Sequence, residues 1–213
     1  MDKKTDSKSV VAIVEEIFNS ISHGMGTATA VVGLILGTIF LTISAPIKIG
    51  FIIYAVSLII LMLASTLYHA LIFTKSKNVF RAIDHSSIFI LIAGSFTPFI
   101  IYLYGGWERI IFLVVVWIIA AGGITLTTTL ILPKKMKMTG VLLYIGFGWM
   151  GLLLIPKMGL VSPAVVWLLF AGGILYTIGT IPFAFKKPFA HFSWHLFVIA
   201  AAVVQFFAII KLT

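Results

Sequence analysis

Cysteine is absent from this 213-residue chain, which excludes disulfides, thiolate metal ligands and a cysteine nucleophile. Charge is nearly as scarce, since 10% of the residues are Asp, Glu, Lys or Arg and only 6 are acidic. With 61% of the residues hydrophobic, too little polar surface remains to coat a soluble globule, and the chain is expected to live in a bilayer. There is no glycine-rich phosphate loop, no HExxH helix, no nucleophile elbow and no nucleotide signature. A cleavable leader fits badly as well. The first apolar run starts near Ile21 and continues past Phe40 without a small-x-small cut site, so a retained helix is expected.

Long apolar runs are what the sequence has in abundance. Reading from one polar break to the next gives seven segments, Ile21–Ile43, Ile49–Phe73, His85–Tyr104, Trp107–Leu130, Met138–Ile155, Val161–Phe183 and His191–Ile210. The expected fold is therefore all-α, a polytopic membrane protein built as a seven-helix transmembrane bundle. Residues 1–20 form a cytoplasmic amino-terminal segment in this reading, and residues 21–213 form the transmembrane domain. Connections are marked by Pro46 with Lys48, Lys75 to Arg81, Gly105 with Gly106, Pro133 to Lys137, Pro156 to Gly159 and Lys186 to Pro188.

The formal charge of +9 lies mainly in these short connections, where orientation against anionic lipid explains it and nucleic acid is not an expected partner. With the amino terminus inside, the cytoplasmic segments hold Lys3, Lys4, Lys8, Lys75, Lys77, Arg81, Lys134, Lys135, Lys137, Lys186 and Lys187. The opposite side holds only Lys48, Arg109, Lys157 and Lys211. Eleven against four selects amino terminus inside and carboxyl terminus outside.

All five histidines fall on the cytoplasmic side of that topology. His191 and His195 have the i, i+4 spacing that puts two imidazoles on one helical face, so both can point at one ion. His69, closing a run that returns to the same leaflet, is the natural third ligand. Three histidine nitrogens plus a water match zinc with an open fourth position, a ligand set that needs no thiolate. The competing reading is a hydrogen-bonded histidine cluster at the interface.

Ser65 precedes His69 by one turn in "LASTLYHA" and is expected to orient the water or donate to an oxyanion, or else to bond back to its own helix. Asp84 is the carboxylate adjoining this layer. It can take a proton from water, hold the far nitrogen of a ligand histidine, or cap the third helix. His23 is placed at the cytoplasmic mouth and His85 beside Asp84 as support, neither being needed for the ligand set. Arg81, three residues before Asp84, has the spacing of an ion pair.

Gly33, Gly37, Gly122, Gly123, Gly146, Gly148, Gly151, Gly172, Gly173 and Gly179 lie within apolar runs, where close helix packing is expected of them. The same small-residue faces would serve a homo-oligomer. Pro98 in "AGSFTPF" is expected to kink the third helix.

The segments "EEIFNSISHGMG", "STLYHA", "RAIDHSSIFILIAGSFTPF" and "HFSWHLFV", in this order and across seven apolar runs, resemble the hemolysin III family, the bacterial branch of the progestin and adiponectin receptor family. The resemblance implies a seven-helix bundle in a bacterial cell membrane with a zinc ion near the cytoplasmic face. The ligands would be His69, His191 and His195, with Asp84 and Ser65 near the water. It also implies kinship with alkaline ceramidases, in which such a constellation looks like a metal-dependent amide or ester hydrolase. The long polar amino-terminal domain of the animal receptors is missing, and no hormone partner is expected.

Three functions follow as expectations. The first is a zinc-dependent membrane hydrolase acting on a lipid-like amide or ester, with Asp84 and Ser65 as catalytic residues. The second is a non-enzymatic zinc-binding sensor or membrane-homeostasis protein, in which His23 or Asp84 would close the fourth metal position. The third is a pore-forming lysin, for which the sequence carries no charged pore lining.

Overall fold

The computed structural model describes residues 3–134, 137–184 and 187–212, with side chains of residues 3–9, 137 and 183–184 set aside. Lys135 and Lys186 lie outside the described residues, as do the side chains of Lys3, Lys4, Lys8 and Lys137. The chain forms α1 (Lys3–Phe40), α2 (Ala45–Ala70), α3 (Lys77–Leu103), α4 (Gly106–Leu126), α5 (Lys137–Trp149), α6 (Pro163–Gly179) and α7 (Ala190–Ile210). Among the described residues six helical stretches are long and apolar enough to cross a membrane, while α6 has 17 residues.

Several boundaries differ from the sequence reading for local physical reasons. Pro46 and Lys48 belong to α2 instead of a connection, because a proline in the first turn gives up an N–H that has no helical partner there. α3 starts at Lys77, ahead of the expected His85, and so includes Arg81 and Asp84 in its first turns. α1 begins well before Ile21 and carries Glu16, Asn19 and His23 along one continuous helix. α6 stops at Gly179 and passes into a 3₁₀ turn, Ile181–Ala184, because Pro182 disfavours helical backbone at the residue before it.

The ends of α4 and α5 also change character. Thr125, Thr128 and Thr129 donate back to carbonyls three or four residues earlier, competing with the ladder where α4 widens into a π turn, Thr127–Ile131. α5 tightens into a 3₁₀ segment, Met150–Leu160, that contains Pro156. Pro98 lies inside α3, whose helical assignment runs through it without a break.

Sequential helices pack antiparallel where glycine permits. A Cβ on Gly50 of α2 would stand 2.7 Å from the Pro98 Cα, and one on Gly179 of α6 would stand 2.6 Å from the Phe197 Cβ of α7. Only a missing side chain allows backbones this close. By contrast, Gly122, Gly146 and Gly148 have nothing within 4 Å of an added Cβ, so the expectation of close packing fails at those three positions. The core is centred on α2 and α3, where Phe51, Tyr54, Met62, Phe89 and Phe99 are buried, and Tyr54 Oη donates 2.7 Å to the Ala202 carbonyl of α7. That bond, with the contacts of α1 against both α2 and α7, brings the two ends of the chain together around one cavity.

Candidate metal centre

His69 sits in the last turn of α2, and His191 and His195 sit in the first two turns of α7. Each offers a ring nitrogen, and the three nitrogens lie within 4.8 Å of one another. His69 Nε2 and His191 Nε2 are 3.2 Å apart. At Zn–N distances near 2.0–2.1 Å, two corners of a tetrahedron stand about 3.3–3.4 Å apart, so this separation suits nitrogens sharing one small cation. The i, i+4 spacing within α7 and the end of α2 therefore meet as the sequence indicated. The cluster is capable of coordinating a metal.

The remaining nitrogens are held from α1. Glu16 Oε2 contacts His69 Nδ1, with the histidine side chain 2% exposed and the carboxylate 28% exposed. His195 Nδ1 is 3.2 Å from the Asn19 carbonyl and 3.2 Å from Ser22 Oγ. His23 stacks flat on His195, with ring centroids 3.6 Å apart and planes 8° apart, and neither of its nitrogens meets a hydrogen-bond partner among the described residues.

Asp84 is buried in α3 and faces the same cavity, outside the three-histidine donor group. Its carboxylate Oδ2 lies 3.2 Å from His85 Nδ1, within ion-pair distance. Arg81 does not take the expected pairing with Asp84. Its Nη2 donates 3.1 Å to the Leu132 carbonyl beyond α4, which a guanidinium reaches from the outer edge of α3. Ser65 is buried, lines the cavity, and makes no back-bond among the described residues, whereas Ser57, Thr66, Ser95 and Thr97 each donate to the carbonyl four residues earlier.

These groups stand at one end of a cavity of about 720 Å³ bounded by α2, α3, α5, α6 and α7. Gly148, Gly151 and Gly173 lie along its wall, and Leu154, Met158 and Val198 give it an apolar lining. It extends to Gln205, fourteen residues along α7 from His191, a rise on the order of 20 Å. There, Tyr176 Oη and Gln205 Oε1 are buried without a hydrogen-bond partner among the described residues.

Residues 11–206 match the family described as Haemolysin-III related. The chain belongs to the haemolysin III family. The hemolysin-3 homolog of Bacillus subtilis is 38% identical over 202 residues, covering 93% of this chain and 94% of the relative. Hemolysin-3 of Bacillus cereus is 35% identical over 202 residues, covering 93% and 91%. The similarity extends to the human monocyte to macrophage differentiation factor, 30% identical over 170 residues, covering 75% and 68%. Family membership and the long apolar helices make this a bacterial multi-pass membrane protein.

The family match spans every residue of the cluster from Glu16 to His195. Sequence reasoning missed Glu16, Asn19 and Ser22 as parts of this haemolysin III site. A signal was present: Glu16, Asn19 and His23 follow a spacing of three then four, which puts them on one face of a helix.

Proposed function

We propose that the chain is a zinc-dependent membrane hydrolase acting on a lipid-like amide or ester. The observation that carries this reading is the position of the three-histidine cluster at the polar end of a long, mainly apolar cavity, with Asp84 and Ser65 on its wall. When bound, zinc supplies the Lewis acidity that polarises a carbonyl and activates water. His69, His191 and His195 would hold it. Asp84, outside the donor group, accepts a proton at its carboxylate and passes it toward the leaving group. Ser65 donates its hydroxyl hydrogen to the oxygen on which negative charge develops. The apolar wall binds the chain of the substrate and keeps bulk water from the reacting carbonyl.

Neither His23 nor Asp84 joins the donor group, which favours an open fourth position over the closed site of a structural metal. The test is hydrolysis of a broad lipid amide and ester panel by zinc-loaded protein in detergent. Turnover above that of a His69, His191 and His195 triple alanine variant supports the reading, and equal background across the panel removes it.

In the same reading α6, extended by its 3₁₀ turn, makes the seventh span. The amino terminus and residues 1–20 lie at the cytoplasmic face, supported by the eleven-to-four distribution of basic residues. The chain has no native cysteine, so Ser76→Cys should react with an impermeant thiol reagent only from inside and Ser162→Cys only from outside. The reverse pattern overturns this topology.

A further inference from the structure

We infer that α1 orients the metal centre without supplying a ligand, and that Glu16 is the positioning residue for His69. The inference rests on the metal-centre reading given above.

A neutral imidazole carries its proton on one nitrogen and its lone pair on the other, so whatever binds Nδ1 decides whether Nε2 is free to coordinate. The Glu16 carboxylate only accepts hydrogen bonds, and its contact with His69 Nδ1 therefore places the proton on Nδ1. Nε2, the atom that faces His191, is left with its lone pair.

The second ligand on this side is fixed by an independent count of hydrogens. Ser22 Oγ spends its one hydrogen on the Asn19 carbonyl, 2.9 Å away. It can therefore only accept from His195 Nδ1 at 3.2 Å, and the Asn19 carbonyl, also 3.2 Å from that nitrogen, can likewise only accept. Both neighbours require the proton on His195 Nδ1. The stacked His23 ring sets the plane of His195. Glu16, Asn19, Ser22 and His23 thus occupy adjoining positions on one side of α1 and hold two of the three rings in the same tautomer. A partner on the far nitrogen of a ligand histidine fixes its tautomer and ring orientation, and removing such a partner typically costs about 10- to 100-fold in metal affinity.

The test is zinc affinity of the detergent-purified full chain, measured by competition with a chromophoric chelator, for wild type, Glu16→Gln, Glu16→Ala and His69→Ala. Circular dichroism and gel filtration confirm that each is folded. Glu16→Ala is expected to weaken zinc binding about 10- to 100-fold. Glu16→Gln is expected to recover most of that loss, because its amide oxygen still accepts from Nδ1–H. The visible absorption of the cobalt-substituted protein should shift in Glu16→Ala and stay close to wild type in Glu16→Gln. Wild-type affinity in folded Glu16→Ala overturns the inference while leaving the metal centre intact. Equal losses in the Gln and Ala variants also overturn it, since charge and not orientation would then be at work. No zinc on the wild type removes the metal-centre reading and this inference together.

Discussion

His69 Nε2 and His191 Nε2 face each other at 3.2 Å, although they stand 122 positions apart in the chain. With His69 Nδ1 turned to Glu16, this approach brings a lone pair on α2 against a second imidazole on α7. A cation between the rings makes the approach favourable, and its removal weakens the tie between the two helices. Chelation of the purified protein should therefore lower its thermal stability. The loss is about 2.7 kcal/mol relative to protein held at free zinc a hundredfold above its dissociation constant. Thermal unfolding in detergent with and without chelator checks this, and the His69, His191 and His195 triple alanine variant should not respond.

Asp84 and Ser65 line the cavity beside the donor group without belonging to it. Asp84→Asn should keep its zinc and lose about 10²- to 10⁴-fold in turnover, the usual contribution of a positioned proton acceptor. Ser65→Ala should also keep zinc and lose about 10²-fold, the lower range for one donor to a developing oxyanion. Metal content and turnover on the same samples separate these outcomes from loss of the site.

Gly148 borders the cavity and has open space where a Cβ would stand. Gly148→Leu would add an apolar side chain at the cavity wall. It should raise KM for long-chain substrates about tenfold or more, by the discrimination that added methylenes impose in a closed pocket. Short-chain substrates and zinc content should be unaffected. A chain-length series compared between wild type and this variant provides the check.

Periodicity carried much of this account. The i, i+4 spacings of His191 with His195 and of Ser65 with His69 are local properties that survive folding, and all four side chains line one cavity. Helix ends were less legible, because Pro46 inside the first turn of α2 and Pro182 after α6 act in opposite senses that depend on position within the helix. Gly50 and Gly122 show the same limit. One is pressed against Pro98 and the other meets nothing, a difference set by which face of each helix meets a neighbour. The contacts of Glu16 with His69 and Ser22 with His195 join residues 53 and 173 positions apart. Such pairs follow from how α1 packs between α2 and α7, and no local pattern encodes the partner.

The most direct test of the central claim is zinc content per chain, by mass spectrometry, of detergent-purified wild type and of the His69, His191 and His195 triple alanine variant, both verified as folded. The account predicts about one zinc ion per wild-type chain and none in the variant, as a single three-histidine site requires. A folded wild type that takes up no zinc after reconstitution would contradict it.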